Sequence, residues 1–258
     1  MVFSIIIPNF NNSRWLRKCL DSVLAQKFSS YEVIFVDDCS SDNSVAIAEE
    51  YICKFRSMKA IRCHEKQYNG GARNKGLIFA NGDYVLFLDS DDSFADDMCL
   101  ADIFRFICHH NRPDLIRLSY YWCKDGEEKL QDLSEQDTIA KIVADDNVAC
   151  WTKCVKLGKV VPFPTNTLME DATQHIAQLD NVETVAAMSE GIVKWNRDNE
   201  NSCSTNIELQ GGKWKSSLYR YYADLLDLQV TKPECKAELE KRRTRAYDNI
   251  INNRFEQG

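Results

Sequence analysis

Three carboxylates stand within four residues at the end of Gly82–Asp92, which reads G-D-Y-V-L-F-L-D-S-D-D: Asp89, Asp91 and Asp92. The apolar run before them, Tyr84–Leu88, is too short for a helix, and its aromatic and β-branched content suits a strand buried on both faces. Like charges packed this tightly at a strand end repel one another unless a cation neutralises them. Hard divalent ions such as Mg2+ or Mn2+ take oxygen ligands and share them with substrate phosphates. The spacing therefore points to a metal–diphosphate site at the carboxyl end of a central strand, where open α/β sheets hold their ligands. The competing reading is a solvated loop, since Asp and Ser are favoured in turns and as helix caps. A calcium loop fits poorly, because the glycine at its sixth position and the closing Glu are missing.

Such a site needs strands that end along one edge. Val2–Pro8 reads as a buried strand stopped by proline, and Asn12 or Ser13 can cap the helix that follows, with Trp15, Leu16, Cys19, Leu20, Val23 and Leu24 on one face. Tyr31–Val36 is a second strand, running into Asp37-Asp38. Val45, Ala48, Tyr51, Ile52 and Phe55 make another helical face, and Ala60–Cys63 a third strand. Asn69-Gly70-Gly71-Ala72-Arg73-Asn74 opens a helix through Phe79, before Tyr84–Leu88. Alternation of this kind gives crossover units and a mostly parallel sheet. Both acidic clusters, Asp37-Asp38 and Asp89–Asp92, then lie along the same edge. Beside them Gly70-Gly71 lets backbone approach a ligand, Arg73 can fork to phosphate or base oxygens, and Asn74 offers donors and acceptors.

The chain has 258 residues, enough for one large domain or one domain with an appendage, and a net charge of −7 that argues against a protein dedicated to nucleic acid. No run is long enough to span a membrane, and Met1–Pro8 lacks the pattern of a signal peptide. The 11 cysteines show no C-x-x-C pair and read as reduced packing thiols, which places the chain in the cytoplasm.

The motifs S-I-I-I-P-N-F-N, V-I-F-V-D-D-C-S-S-D-N-S, N-G-G-A-R-N-K-G-L and Y-V-L-F-L-D-S-D-D, in this order, resemble the family 2 inverting glycosyltransferases. The resemblance implies the GT-A fold: a Rossmann-like, mostly parallel mixed sheet flanked by helices, here with a helical C-terminal appendage. One departure is Cys39, where the family commonly has glycine, and a local change of turn geometry is expected there. By the resemblance, Pro8 and Asn9 line a nucleotide pocket and Asp37 or Asp38 accepts from base or ribose. Gly71, Arg73 and Asn74 belong to the same binding set. Asp91 is the direct ligand of Mn2+ or Mg2+, Asp89 the ribose or second metal contact, and Asp92 a cap for the helix over Asp102–Cys108. Glu170-Asp171 resembles the family's base motif, with Asp171 as base and Glu170 orienting acceptor or sugar, although two acidic residues also suit the start of the Ala172–Leu179 helix. Trp195-Asn196-Arg197 with Asn201-Ser202 is similar to the segment that closes over the diphosphate, making Arg197 a phosphate clamp.

Between these motifs, Asp114–Trp122 reads as a strand, Lys124–Ser134 as a polar loop and Glu135–Ala144 as a helix. His175 reads as a packing or surface residue. From Gly211 the pattern is helical, with Trp214, Leu218, Tyr221, Tyr222, Leu225 and Leu228 in one helix and Glu234–Phe255 in another, so residues 1–205 form the catalytic domain and 206–258 an extension. The cluster Lys241-Arg242-Arg243-Arg245 could rest on the inner face of an anionic membrane, but nearby acidic residues favour a solvated face packed on the domain. Aromatics there leave an acceptor surface or self-association open. Together these readings describe a metal-dependent inverting enzyme that moves sugar from a nucleotide diphosphate donor, UDP above all, to a hydroxyl of a glycan or lipid-linked acceptor. Two rivals stand beside it. A nucleotidyltransferase would want a Gly-rich basic loop where Pro8-Asn9-Phe10-Asn11-Asn12 stands, and a non-catalytic sugar-nucleotide-binding or scaffold protein would tolerate Asp171→Asn.

Overall fold

The computed structural model describes residues 1–200, 202 and 211–255, with side chains described in the last stretch for 216–250. Strand β1 (Phe3–Asn9) is buried along its whole length. It lies between β2 (Tyr31–Asp37) and β4 (Tyr84–Phe87), parallel to both, with β3 (Met58–Arg62) parallel on the outer side of β2. The period of two along these strands sorts their side chains onto two faces. Phe3, Ile5, Ile7, Val33, Phe35 and Leu86 join the core under α1 (Ser13–Leu24) and α2 (Ser44–Ile52). Ile6, Ile34, Val36, Val85 and Phe87 face α3 (Tyr68–Leu77) through Ala72. Continuous apolar runs in the sequence thus correspond to strands covered on both sides.

Pro8 does not stop β1, which continues through Asn9 paired with Asp37. The pairing of β1 with β4 ends at Ile6, so Pro8 sits where one flank of the strand is already open and its missing N–H leaves no gap in that ladder. Asn12 occupies the N-cap position of α1, but neither it nor Ser13 caps with its side chain. Asp42 does that work, accepting from Ser13 N at 2.8 Å and Ser44 N at 3.0 Å.

The second half turns the sheet mixed. Across it the order is β3-β2-β1-β4-β8-β6-β9-β5, with β7 on β6. Strands β5 (Ser93–Phe94), β8 (Lys153–Lys156) and β9 (Val185–Asn196) escape a sequence reading because two are very short and β9 is broken by a register shift opposite Leu118–Tyr120. Strand β6 (Leu115–Lys124) was legible. The polar stretch after it is not a loop: β7 (Glu127–Gln131) folds back on β6, and Asp125 (φ 52°) and Gly126 (φ 82°) make the turn. Asp-Gly with positive φ at both positions is the preferred two-residue hairpin. The expected Glu135–Ala144 helix shrinks to α5 (Ile139–Val143), capped by Thr138 accepting from Lys141 N.

Helix α4 (Cys99–His109) packs on the first face, and α6 (Glu170–Asn181) borders the sheet's acidic edge. Helices α7 (Gly211–Asp227) and α8 (Pro233–Phe255) complete the chain. Their Leu218, Tyr221, Leu225, Cys235, Leu239 and Ala246 share one core with Ile142, Ile176 and Leu179 of α5 and α6. The basic cluster of α8 is engaged within the protein. Arg242 is buried on Glu238, Arg243 donates to the carbonyls of Leu225, Leu226 and Leu228, and Arg245 pairs with Asp146. Among the described residues no helix is long and apolar enough to cross a membrane.

Candidate functional site

The carboxyl ends of β1, β2 and β4 form one edge, and the residues there are wired together. Asn9 Nδ2 donates to Asp37 Oδ1 and to Ser40 Oγ, both at 3.1 Å, while Asp37 Oδ2 accepts from Ser40 N at 2.9 Å. Asn9 Oδ1 is buried and unpaired among the described residues. Asp38 turns the other way and accepts from the backbone N–H of Gln67 (2.5 Å) and Tyr68 (2.9 Å) at the start of α3. Its carboxylate caps that helix, so of the pair Asp37 faces the Asn9 network and Asp38 fixes α3. Cys39 adopts φ 64°, the left-handed conformation that glycine takes freely.

The second acidic cluster splits into separate tasks. Asp91 Oδ2 accepts from Asn199 Nδ2 at 2.7 Å, and the same amide reaches Asn12 Oδ1 at 3.2 Å. Burial, with the charge of Asp89 added, pushes the Asp91 carboxyl up to about 6. Asp92 is buried and accepts from Asn196 N at 2.8 Å, tying β9 to the edge. It does not cap α4; Asp96 accepts from Met98 N at 2.8 Å in that place. Asp96 lies two residues before that N–H, the spacing of an Asx turn, which Asp92 is too far away to make.

The third part is brought in by α6. Arg73 is 1% exposed, with Nη1 on Glu170 Oε1 (2.8 Å) and Asp171 Oδ1 (3.1 Å) and Nη2 on Asp89 Oδ1 (2.9 Å). The fork expected to meet phosphate or base is thus taken by three carboxylates. Burial and the neighbouring Asp171 charge raise the Glu170 carboxyl. The Asp171 side chain stays 24% exposed.

Other expected members stand elsewhere. Asn74 exchanges two hydrogen bonds of 2.8 Å with the backbone of Phe163. Gly71 is buried inside α3, where a Cβ would lie 2.5 Å from Gln67 Cβ. Gly70 serves packing rather than a ligand, since a Cβ there would lie 2.3 Å from Pro164 O. Arg197 stacks on the Trp195 ring at 4.4 Å. Asn201 lies outside the described residues. His175 is buried, bonded to Ile142 O at 3.0 Å, which is the packing role.

The sequence reading missed Asn199, which donates to Asp91, and Asn12 and Ser90 bonded behind it; only the neighbouring Trp195-Asn196-Arg197 and Asn201-Ser202 hinted at Asn199. It also missed Lys153, a buried lysine donating to Val148 O and Ala149 O, which burial and Arg117 pull down to about 7.

Residues 4–154, more than half of the chain, match the description Glycosyl transferase family 2. The chain belongs to that family. Among curated proteins, the poly(ribitol-phosphate) beta-N-acetylglucosaminyltransferase TarS of Staphylococcus aureus is 34% identical over 45% of this chain and 20% of its own length. Glycosyltransferase GlyA of Streptococcus pneumoniae is 39% identical over 48% of this chain and 17% of its own. The family 2 chain spans less than half the length of these relatives. Crystalline TarS 1-349 with UDP-GlcNAc superposes with a TM-score of 0.76 at 22% identity, covering 93% of this chain and 70% of that one. A mannosyltransferase of Pyrobaculum calidifontis in complex with GDP-Man and Mn2+ gives 0.68 at 14% identity, over 93% and 68%. These likenesses establish the GT-A fold, with helices on both faces of a mixed sheet and the C-terminal helices present.

The donor set suits a divalent ion shared with a ligand. Among the described residues no group of three or more His, Cys, Asp and Glu is arranged as a cage by itself. Mg2+ or Mn2+ bound through one or two carboxylates plus substrate phosphates needs no such cage. Asp91, whose ionised form is disfavoured by burial and then by the charge of Asp89, would be stabilised by a cation there.

Proposed function

We propose that this family 2 glycosyltransferase is a metal-dependent inverting enzyme. It transfers sugar from a nucleotide diphosphate donor, UDP-linked, to a hydroxyl of a glycan or lipid-linked acceptor in surface polysaccharide synthesis. The observation that carries it is Arg73: one buried guanidinium holds Asp171 and Asp89 together, and Asp91 lies two residues beyond Asp89. A candidate base and a candidate diphosphate site are thereby fixed relative to one another, which a displacement reaction requires.

Asn9 and Asp37 present amide and carboxylate oxygens at the end of β1 and β2, matching the donors of a nucleobase or ribose. Asp91 and Asp89 would hold Mn2+ or Mg2+, which supplies Lewis-acid stabilisation of the departing diphosphate. Asp171 takes the proton of the acceptor hydroxyl as that oxygen attacks the anomeric carbon from the face opposite the leaving group. Arg73 holds Asp171 through one oxygen, and the carboxylate keeps enough exposure for the acceptor to reach it. Glu170, buried on the same guanidinium, orients Arg73 rather than the sugar. A second carboxylic acid is not needed, because a diphosphate leaves without protonation. The TarS complex with UDP-GlcNAc supports the choice of UDP, and the names of the relatives support a polymeric acceptor.

The deciding experiment is a panel of nucleotide sugars assayed with Mn2+ for transfer or slow hydrolysis, alongside Asp171→Asn. The variant should lose turnover by about 10²–10⁴-fold and still bind UDP. Undiminished turnover would remove Asp171 as the base, and thermal stabilisation by GDP or CMP rather than UDP would change the donor.

A further inference from the structure

Asp38 is followed by a residue whose backbone glycine would hold more easily. Cys39 stands at φ 64°, and its half-buried thiol donates to the carbonyl oxygen of Cys63 at 3.3 Å. Cys63 directly follows β3, and its N–H donates to Asp37 O at 2.8 Å, one step past the rung that pairs Asp37 with Arg62. The two cysteines, 24 residues apart in the chain, are thus in direct contact where adjacent strands end. The pair is asymmetric. Cys63 is 8% exposed, and burial with the charge of Asp38 pushes its thiol up to about 11. An oxidant therefore meets Cys39 first, with Cys63 behind it as the resolving thiol, the arrangement that makes a disulfide reversible.

We propose that Cys39 and Cys63 are a modification site for hydroperoxides, a thiol pair that weakens donor binding when it closes to a disulfide. The Cys39 thiol takes one oxygen from hydrogen peroxide, giving a sulfenic acid and releasing water. The Cys63 sulfur then attacks the Cys39 sulfur. The S–O bond breaks as the S–S bond forms, and the hydroxyl leaves as water with the Cys63 proton. Two thiols are oxidised and one peroxide is reduced to two waters. Closure moves the Cys39 sulfur from the Cys63 carbonyl to the Cys63 sulfur, and the turn that carries it must follow. On one side of that turn Asp38 holds the N–H groups of Gln67 and Tyr68. On the other, Ser40 is buried, accepting from Asn9 Nδ2 and from Asn11 N while its own N–H donates to Asp37. A shift of Cys39 therefore loosens Asn9 and Asp37. The effect on the donor rests on the reading of those two residues as its pocket; the pairing of the thiols does not.

The test treats the reduced full chain with hydrogen peroxide, blocks the remaining thiols, and maps the digest by tandem mass spectrometry. A peptide pair linked through Cys39 and Cys63 should form, and dithiothreitol should release it. Cys53→Ser should keep the link, whereas Cys39→Gly, which suits φ 64°, and Cys63→Ala should each lose it. The linked protein should bind UDP with Mn2+ about tenfold more weakly, the scale of one lost hydrogen bond, and recover on reduction; peroxide should leave the affinity of Cys39→Gly unchanged. Oxidation confined to the exposed Cys53 and Cys108, or linkage of Cys39 to any other cysteine, overturns the pairing. A linked protein with undiminished UDP affinity overturns its effect on the donor. Should the reduced protein fail to bind UDP at all, the proposed reaction falls, while the peptide map still decides the pairing.

Discussion

Arg73 is the residue on which the site balances. A buried guanidinium is tolerable here because the carboxylates of Asp89, Glu170 and Asp171 surround it, and burial with the surplus negative charge raises the Glu170 carboxyl; remove the cation and three partners are stranded. Arg73→Met should cost about 3–5 kcal/mol, the price of breaking a buried ion network, read from urea unfolding. Arg73→Lys keeps the charge but cannot fork, so at least one of Asp171 and Asp89 swings free. The expected result is a kcat lower by about 10²-fold from misplacement, with affinity for UDP and Mn2+ little changed. A loss of nucleotide affinity with kcat intact would instead make Arg73 a donor contact. The sequence marked Arg73 but assigned it to phosphate, because its Glu170 and Asp171 partners lie 97 and 98 residues away. Asp38 is a similar case, since its carboxylate meets backbone N–H groups 29 and 30 residues on.

At the scale of elements, the site depends on how closely α3 approaches α6. Gly70 permits it, because a Cβ there would lie 2.3 Å from Pro164 O and 3.1 Å from Glu170 Cβ. A backbone carbonyl cannot step aside as a flexible side chain can. Gly70→Ala should therefore destabilise by about 1–3 kcal/mol through overpacking and lower kcat, since the shift separates Arg73 from Asp171. Thermal unfolding and steady-state kinetics of this variant measure both effects. A second joint sits at the opposite sheet edge. Although burial alone would raise it, the bond from Lys156 and those from the N–H groups of Glu183 and Thr184 hold Asp114 down, to about 2. A depressed carboxylate stabilises the fold above its unfolded pKa, near 3.9, and loses that contribution as pH falls toward 2. Asp114→Ala should cost about 2 kcal/mol at pH 7, and the difference from the parent in urea melts should shrink below pH 4. The β6–β7 hairpin shows what closer attention to turn chemistry would have recovered, since Asp125-Gly126 was in plain view.

Over the whole molecule, the C-terminal helices are part of the core that supports α6. Arg243 donates to the carbonyls of Leu225, Leu226 and Leu228, closing the end of α7. Arg243→Ala should lower stability by about 1–2 kcal/mol, the scale of lost capping bonds, without altering sedimentation with anionic vesicles. Reduced vesicle binding would revive the membrane role of the cluster. The sequence by itself determined the strand–helix alternation of the first hundred residues, the acidic edge and the family, because buried parallel strands and motif spacing are local patterns. Tertiary structure alone decided which carboxylate does what. Asp92 ties down β9, Asp38 caps α3, and Asp171 meets Asp89 across Arg73. Charged side chains choose partners by distance in space, and the chain returns to that edge only after the antiparallel strands have turned it back.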